Sequence, residues 1–294
     1  MTVVRDVTAI VMAGAPVVEE VMAGVERAVA ALAAEGVTVG LGTILVGDDP
    51  ASAGYIRKKQ EACEAVGIAS PHVHLPATVT QAELLDAVAA FNADPAVDAY
   101  LVQNPVPAGL DYNEVLAAID PDKDADGLHP VNLGKLALGV DAPLACTPAG
   151  IQALLAHYEV PVEGRHVVIV GRGATLGRPL ALLLSLKRPG ANAAVTVVHT
   201  GVADWRRYTR DADIVIGAAG VPNMITAADV RPGAAVVGGG ISWEGRRLVS
   251  DVDESVAEVA GWVTPRLGGV GPTTVAMLLR NAVQAAARRR GVAL

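Results

Sequence analysis

The chain has 294 residues and a mass of 30.0 kDa, which allows one large domain or two ordinary ones. Hydrophobic residues make up 52% and charged residues 18%, so the chain can bury a core and is not globally disordered. Its 23 basic and 31 acidic residues give a net charge of -8, and this acidity, together with 3% aromatic residues, disfavours nonspecific nucleic-acid binding.

The first half of the chain predicts alternating helices and strands, a pattern that favours a mostly parallel sheet. Gly36 ends the first helix, and Ser52 and Gly67 bound the second as N-cap and stop signal. The predicted elements are helix 17–35, strand 37–46, helix 52–66, strand 72–75, helix 81–92, strand 99–103 and helix 113–118.

The second half predicts a second α/β domain, and a polar, turn-rich stretch after residue 120 separates the halves. Thr147 is predicted to cap a helix that starts at Pro148. We therefore predict domains at 1–146 and 147–273, with residues 274–294 packing back on the first domain. The predicted elements are helix 147–158, strand 166–170, helix 178–186, strands 195–199, 214–218 and 235–237, and helix 274–290.

The cysteine and histidine patterns favour neither a disulfide framework nor a metal site. Cys63 and Cys146 form no CxxC pair, and the six histidines lack a metal-ligand spacing, so His72 and His74 are predicted to be structural. Apolar stretches fall short of the ~20 residues of a membrane helix, and no targeting segment is apparent. We therefore predict a soluble cytoplasmic protein with no membrane partner.

Residues 166–179 predict a strand, a glycine loop and a helix, with the spacing GxGxxxG. Gly171, Gly173 and Gly177 allow a tight turn and close backbone approach to a pyrophosphate, which the N–H groups of the following helix can bind. A strand and a helix flank the loop, which favours dinucleotide binding over a plain structural turn.

The next strand indicates which nicotinamide cofactor binds. Its tip, His199-Thr200-Gly201, lacks the acidic residue that usually holds the ribose of NAD, and the nearest one is Asp204. Thr200 adds a hydroxyl at this tip. Arg172 lies in the glycine loop, and a cation without an opposing carboxylate favours a 2′-phosphate. The sequence therefore predicts NADP, with an ordinary surface role for Arg172 as the alternative.

A lysine in the first half is placed for proton transfer. Tyr55 and Lys59 are four residues apart and share a helix face, next to Arg57 and Lys58. Clustered cations destabilise one another's charged form, so a partly buried member can act as an acid or a base. Tyr55 offers a flat face to an aromatic ligand. A solvated helix lysine is the alternative.

Together with three loop segments, these motifs resemble the bifunctional methylenetetrahydrofolate dehydrogenase/cyclohydrolase family. The resemblance follows the family's order along nearly the whole chain. Its motifs are Tyr55-x3-Lys59, Val102-Gln103-x-Pro105-x-Pro107, Lys123-Asp124-x-Asp126-Gly127, Thr147-Pro148-x-Gly150-Ile151, Gly171-Arg172-Gly173 and Gly268-Gly269-Val270-Gly271-Pro272.

The resemblance implies a folate-side α/β domain and a Rossmann-type NADP-binding domain with a parallel sheet, a cleft between them, and a homodimer. It implies that Lys59 is the main catalytic group, that Gln103 hydrogen-bonds it, that Tyr55 packs on the folate ring system and that Asp126 anchors the pterin. Further implied contacts are Gly271 and Pro272 with the substrate, and Gly171, Arg172, Gly173, Gly177, Thr200 and Ile241 with the cofactor.

The chain also departs from the family pattern. Asn104 replaces a leucine beside Gln103, Gly173 replaces a serine in the glycine loop, and the run 238–240 is all glycine where the family often has an aspartate. The sequence Arg266-Leu267 replaces Val-Pro. These changes bear on cofactor affinity and preference.

The implied function has two steps, in one-carbon metabolism and purine biosynthesis. NADP-dependent oxidation of 5,10-methylenetetrahydrofolate gives the 5,10-methenyl compound, and hydrolysis then gives 10-formyltetrahydrofolate, with Lys59 assisting proton transfer. The alternatives are a shikimate- or amino-acid-type dehydrogenase, a catalytically silent NADP-binding regulator, and a dehydrogenase that lacks the cyclohydrolase activity.

Overall fold

The computed structural model describes residues 9–245 and 247–294, and the chain divides into two compact units. The three-stranded unit contains residues 19–146 and 275–294. The six-stranded unit contains residues 147–274 together with the described residues up to 18. Strands and helices alternate in both units, which confirms the predicted α/β class.

The three-stranded unit is built from three parallel strands and their connecting helices. The strands are β2 (Leu41–Val46), β3 (His72–Leu75) and β4 (Ala99–Val102), in the order β3, β2, β4. The helices are α1 (Gly14–Ala34, residues 14–18 being counted with the other unit), α2 (Pro50–Ala65), α3 (Gln81–Ala93), α4 (Tyr112–Ala118) and α5 (Pro130–Ala137), with a 3-10 turn at Pro121–Lys123.

The core of this unit lies between the sheet and helices α3 and α4. Strand β2 is buried at every position, as expected for a central strand covered on both faces. Phe91 and Tyr100 meet edge to face, with their ring centroids 5.4 Å apart. This contact joins α3 to β4, the strand that Gln103 follows.

The six-stranded unit contains one parallel sheet and an antiparallel pair of strands. The sheet has the order β1, β11, β8, β7, β5, β6. Its strands are β1 (Ile10–Val11), β5 (His166–Val170), β6 (Ala194–Val198), β7 (Ile214–Gly217), β8 (Ala235–Gly238) and β11 (Trp262–Val263), and the pair is β9 (Ile241–Glu244) and β10 (Arg247–Ser250). The helices are α6 (Cys146–His157), α7 (Gly177–Ser185), α8 (Arg206–Thr209) and α9 (Val270–Arg290), of which residues 275–290 are counted with the three-stranded unit.

Strand β5 lies where the strand order reverses. The chain leaves β5 for β6 on one side and continues with β7 on the other. In open sheets of this kind, ligands bind at the carboxyl ends of the strands at such a point. The glycine loop follows the carboxyl end of β5 directly.

Two predicted N-caps are wrong. Asp49 caps α2 instead of Ser52: its carboxylate accepts the N–H of Ser52 at 2.8 Å, and Pro50 takes the first helical position. Thr147 lies inside α6, and its hydroxyl pairs with that of Thr274 at 3.2 Å instead of capping the helix.

Several short elements escape the sequence pattern. Helix α5 lies at the end of a stretch that predicts only turns, and the two-residue strands β1 and β11 are too short to show a periodicity. Helix α9 starts at Val270, earlier than the predicted residue 274, because the glycine-rich turn is already helical there. Among the described residues, no helix has the length and apolarity needed to cross a membrane.

Candidate active site

Helix α2 places Lys59 against the end of strand β4. The Lys59 side chain is only 9% exposed, and its Nζ donates a hydrogen bond to Oε1 of Gln103 at 3.1 Å. Gln103 follows β4 directly, and its Nε2 donates to the carbonyl of Asn104 at 2.8 Å. The amide is therefore fixed from both sides, and its oxygen faces the lysine.

Tyr55 lies one helical turn before Lys59 and is 37% exposed. The shared helix face that the sequence predicts is thus present, with one residue accessible and the other withdrawn from water. An exposed aromatic face one turn from a buried amine can pack against a flat ligand that reaches the amine.

Asp126 is the third member of this cluster. Burial raises the pKa of the Asp126 carboxyl, the positive charge of Lys59 lowers it, and the neighbouring Asp124 raises it further. The charge of Lys59 thus acts on the Asp126 carboxyl, so the two groups lie near each other in the three-stranded unit. Burial is the main cause of the raised pKa of the Tyr112 phenol, and the same two carboxylates raise that pKa further.

The loop that carries Asp126 is held by buried polar groups, of which the sequence placed Lys123 and Asp124 in a motif without assigning them a role. The Asp124 carboxylate accepts the backbone N–H groups of Gly127 and His129, at 2.9 and 2.8 Å, and the Nδ2 of Asn132 at 3.0 Å. Lys123, 2% exposed, donates to two carbonyls at the end of α3, both at 2.8 Å. The sequence feature that could have indicated these contacts is the charged loop itself, which is rich in small and acidic residues.

Two histidines that the sequence predicted to be structural make hydrogen bonds in this unit. His72 Nδ1 pairs with the Thr43 hydroxyl at 2.8 Å, and His74 Nε2 pairs with the Gly47 carbonyl at 2.9 Å. Within residues 9–245 and 247–294, no group of three or more His, Cys, Asp or Glu side chains could hold a metal ion.

In the six-stranded unit, the glycine loop after β5 contains two kinds of glycine. At some positions a side chain would overlap neighbouring atoms, and at another it would have room. Gly171 has a φ of +131°, and a Cβ there would overlap the carbonyl of Ala218. A Cβ on Gly177 would overlap the carbonyl of Gly171. A Cβ on Gly173 would meet nothing within 4 Å. The first two positions require glycine, whereas Gly173 has room for a side chain.

The loop fits a dinucleotide pyrophosphate. Helix α7 begins at Gly177, and no side chain caps its N-terminus. The Arg178 N–H donates to the carbonyl of Gly173 at 3.1 Å and Pro179 has no N–H, so the Gly177 N–H is the group of the first three positions that an anion could use. Arg172 and Gly173 are exposed at the loop surface. The glycines keep Cβ atoms away from the backbone that a phosphate would approach.

The remaining predicted contact residues are also at the surface of this unit. Thr200 is exposed in the turn after β6, where the N–H of Gly201 donates to Nδ1 of His199 at 3.1 Å. Ile241, the first residue of β9, is 40% exposed. Gly271 and Pro272 are exposed in the first turn of α9.

Comparison with known proteins places both halves of the chain in one family. Residues 12–126 match the catalytic domain and residues 145–290 the NAD(P)-binding domain of the family described as tetrahydrofolate dehydrogenase/cyclohydrolase. The chain belongs to this family.

Relatives of high similarity span the whole chain. Bifunctional protein FolD 1 of Salinispora tropica is 62% identical over 277 residues, which cover 94% of this chain and 90% of the relative. The crystal structure of the bifunctional enzyme FolD from Campylobacter jejuni has a TM-score of 0.90 at 40% identity, covering 95% of this chain and 99% of that chain.

A third relative was solved with ligands. The Trypanosoma brucei methylenetetrahydrofolate dehydrogenase-cyclohydrolase, complexed with NADP cofactor and inhibitor, has a TM-score of 0.90 at 36% identity. It covers 96% of this chain, which itself covers 98% of that structure.

Membership of the dehydrogenase/cyclohydrolase family confirms the predicted bifunctional enzyme, its two-domain α/β fold and, at the level of the family, its NADP cofactor. It excludes a shikimate- or amino-acid-type dehydrogenase and a catalytically silent NADP-binding regulator. The individual roles of the site residues stay predictions.

Proposed function

We propose that the three-stranded unit binds the folate substrate and moves its protons through Lys59. The hydrogen bond from the buried Lys59 ammonium to Gln103 carries this proposal. The amide of Gln103 holds this buried lysine in place. Among the described residues, Lys59 makes no ion pair with a carboxylate that would keep its proton bound. It can therefore exchange a proton with a bound substrate.

Tyr55 and Asp126 bind the substrate in this proposal. The exposed ring of Tyr55 packs against the pterin, and the Asp126 carboxyl hydrogen-bonds its polar edge. The raised pKa of Asp126 supports this role, because a carboxyl group that retains its proton more readily can donate as well as accept a hydrogen bond.

The six-stranded unit holds NADP in the dehydrogenase step. Its phosphates bind at Gly171, Arg172, Gly173 and Gly177, and further contacts come from Thr200 and Ile241. When bound, NADP⁺ supplies the hydride acceptor as the methylene compound becomes the methenyl cation. The contribution of this chain is to bind and orient the two reactants.

In the cyclohydrolase step, water adds to the methenyl carbon and releases one proton. The hydroxyl proton then moves to the ring nitrogen as the carbon–nitrogen bond breaks, which gives 10-formyltetrahydrofolate. Lys59 assists both proton transfers, and Gln103 keeps its Nζ in place.

Arg172 and Thr200 favour NADP over NAD. Among the described residues, Arg172 makes no hydrogen bond or ion pair, so its guanidinium is available to a 2′-phosphate, and Thr200 adds an exposed hydroxyl. The turn after β6 carries no carboxylate before Asp204 that would favour a ribose hydroxyl instead.

We also propose the assembly and setting that the sequence resemblance implies. The chain works as a homodimer in the cytoplasm and supports purine biosynthesis. Residues 19–146 and 275–294 form the folate side, and residues 147–274, with the described residues up to 18, form the cofactor side. Sedimentation velocity at several protein concentrations tests the dimer, and a monomer at all concentrations would contradict it.

Substitution of Lys59 tests the proton-transfer role. We expect Lys59→Met to slow hydrolysis of methenyltetrahydrofolate by roughly 10²–10⁴-fold, the usual contribution of general acid–base catalysis. Disappearance of the methenyl chromophore measures this step. Lys58→Met, at the exposed neighbouring position, is the matched control and should hydrolyse normally. Normal hydrolysis by Lys59→Met would contradict the assignment.

A further inference from the structure

Asp251 is a buried carboxylate that the reaction scheme leaves without a role. It follows β10 in the six-stranded unit and is 0% exposed. Its carboxylate accepts backbone hydrogen bonds from three consecutive residues, Ala219 at 2.7 Å, Gly220 at 3.2 Å and Val221 at 2.8 Å. One side chain thus fixes the path of a whole loop.

That loop, residues 218–221, borders the glycine loop. It follows β7 directly, at the carboxyl end of the sheet. The Ala218 N–H donates to the carbonyl of Val170 at 2.8 Å, and the Ala218 carbonyl occupies the space that a Cβ on Gly171 would need. Residues 219–221 are exposed. The two loops therefore contact each other at the carboxyl ends of β5 and β7.

Two glycines make room for the Asp251 carboxyl group. A Cβ on Gly240 would overlap Oδ2, and a Cβ on Gly217 would lie 2.7 Å from the Cβ of Asp251. Gly240 belongs to the glycine run in which this chain departs from the family pattern. The lack of a side chain at Gly240 thus leaves space for the carboxylate of Asp251, which follows β10.

The electrostatics indicate why the loop and the carboxylate depend on each other. Burial raises the pKa of Asp251, and the three N–H donors of the loop act in the opposite direction. None of the described basic side chains forms an ion pair with it. The loop N–H groups therefore provide the compensation for burying this carboxylate.

We propose that Asp251 is a positioning residue of the NADP site. Its carboxylate holds loop 218–221 in the conformation that shapes the cofactor surface beside Gly171, and so sets the affinity for NADP. This inference rests on the assignment of the cofactor to the Gly171 loop. It predicts no effect on the cyclohydrolase step, which needs no cofactor.

Asp251→Asn tests this role with almost no change in shape. The amide has one acceptor oxygen where the carboxylate has two, and its NH₂ group faces one of the N–H donors. We expect the Kd for NADP, measured by titration calorimetry, to rise about tenfold or more. We also expect faster hydrogen exchange at the amides of residues 219–221. Hydrolysis of methenyltetrahydrofolate, supplied directly without cofactor, should stay within about twofold of the parent.

Asp253→Asn is the matched control. Asp253 lies two residues further on, and its carboxylate accepts one backbone N–H, that of Ser255, at 2.9 Å. It does not contact loop 218–221 through any described hydrogen bond. We expect this variant to bind NADP and to hydrolyse the methenyl substrate like the parent.

A second variant covers the case in which Asp251→Asn does not fold. Gly220→Ala changes the same loop directly, because Gly220 has a φ of +66° that disfavours a side chain. It leaves Asp251 in place and should also raise the Kd for NADP. If a folded variant of either kind binds NADP like the parent, the positioning role is wrong.

Two further outcomes separate this inference from the function on which it rests. Equal loss of NADP affinity and of cyclohydrolase activity in Asp251→Asn would show a merely structural role and overturn the inference, while the bifunctional assignment would stand. Undiminished NADP binding by Gly171→Ala would instead remove the cofactor from this surface, and both proposals would fail.

Discussion

At the scale of single residues, the glycine loop shows that identical residues in one motif have different reasons to be there. Gly171 is required by a φ of +131° and by the carbonyl of Ala218, whereas Gly173 has open space around its Cα. The spacing of glycines in the sequence predicted a phosphate loop but gave no means of ranking them.

Alanine substitutions should separate these two glycines. Gly171→Ala should cost about 1–3 kcal/mol for its backbone conformation alone, in addition to the overlap with Ala218, and should weaken NADP binding. Gly173→Ala should change stability by no more than about 0.5 kcal/mol. Thermal unfolding and NADP titration of both variants measure the difference, and equal destabilisation would contradict the geometry.

The Lys59–Asp126 interaction makes a prediction about pH. The Lys59 charge lowers the pKa of Asp126 against the effect of burial, so Lys59→Met should raise that pKa further. The native state then holds the Asp126 proton to higher pH than the unfolded state does, and stability in that window falls as pH increases. Carboxyl NMR titration measures the shift. Lys58→Met should leave it unchanged, and an unchanged Asp126 pKa in Lys59→Met would contradict the coupling.

At the scale of elements, the buried carboxylate of Asp98 and the carbonyls of Val97 and Pro95 attach the end of helix α9 to the three-stranded unit. Asp98 is 0% exposed, accepts the N–H of Gly40 at 3.0 Å, and lies 3.3 Å from Arg289 and 3.7 Å from Arg290. The basic end of the helix, which the sequence predicted to suit the helix dipole, thus also has a specific acidic partner.

Removing that carboxylate should loosen the helix. Asp98→Ala leaves the Gly40 N–H without an acceptor and two arginines without their buried partner, and we expect a loss of roughly 3 kcal/mol. Urea unfolding, with hydrogen exchange along α9, measures it. Asp86→Ala, at an exposed position of α3, is the control. A change as small as that of the control would show that Asp98 does not anchor α9.

At the scale of the whole molecule, the two units have separate tasks in the proposed function. Cofactor binding to the six-stranded unit should stabilise the native chain by about 2.7 kcal/mol when NADP is present at 100 times its Kd. Because Arg172 and Thr200 favour the 2′-phosphate, the same concentration of NAD should raise Tm by less. Thermal unfolding with each dinucleotide is the measurement, and an equal or larger shift with NAD would contradict the proposed preference.

The sequence by itself determined the α/β class, most of the long elements, the glycine loop and the family. Each of these depends on local chemistry: apolar periodicity, cap residues, glycine spacing and short motifs. It missed β1, β11 and α5, because short elements are stabilised by neighbours that are distant along the chain.

The tertiary structure decided how polar side chains hold the two sites in shape. The Lys59–Gln103 hydrogen bond, which the sequence implied through the family resemblance alone, joins residues 44 positions apart. Asp251, which the sequence did not indicate, holds a loop about 30 positions earlier in the chain. Neither contact leaves a periodic signal. A buried polar group must find its partner wherever the fold brings one, since leaving it unpaired costs more than the local sequence can offset.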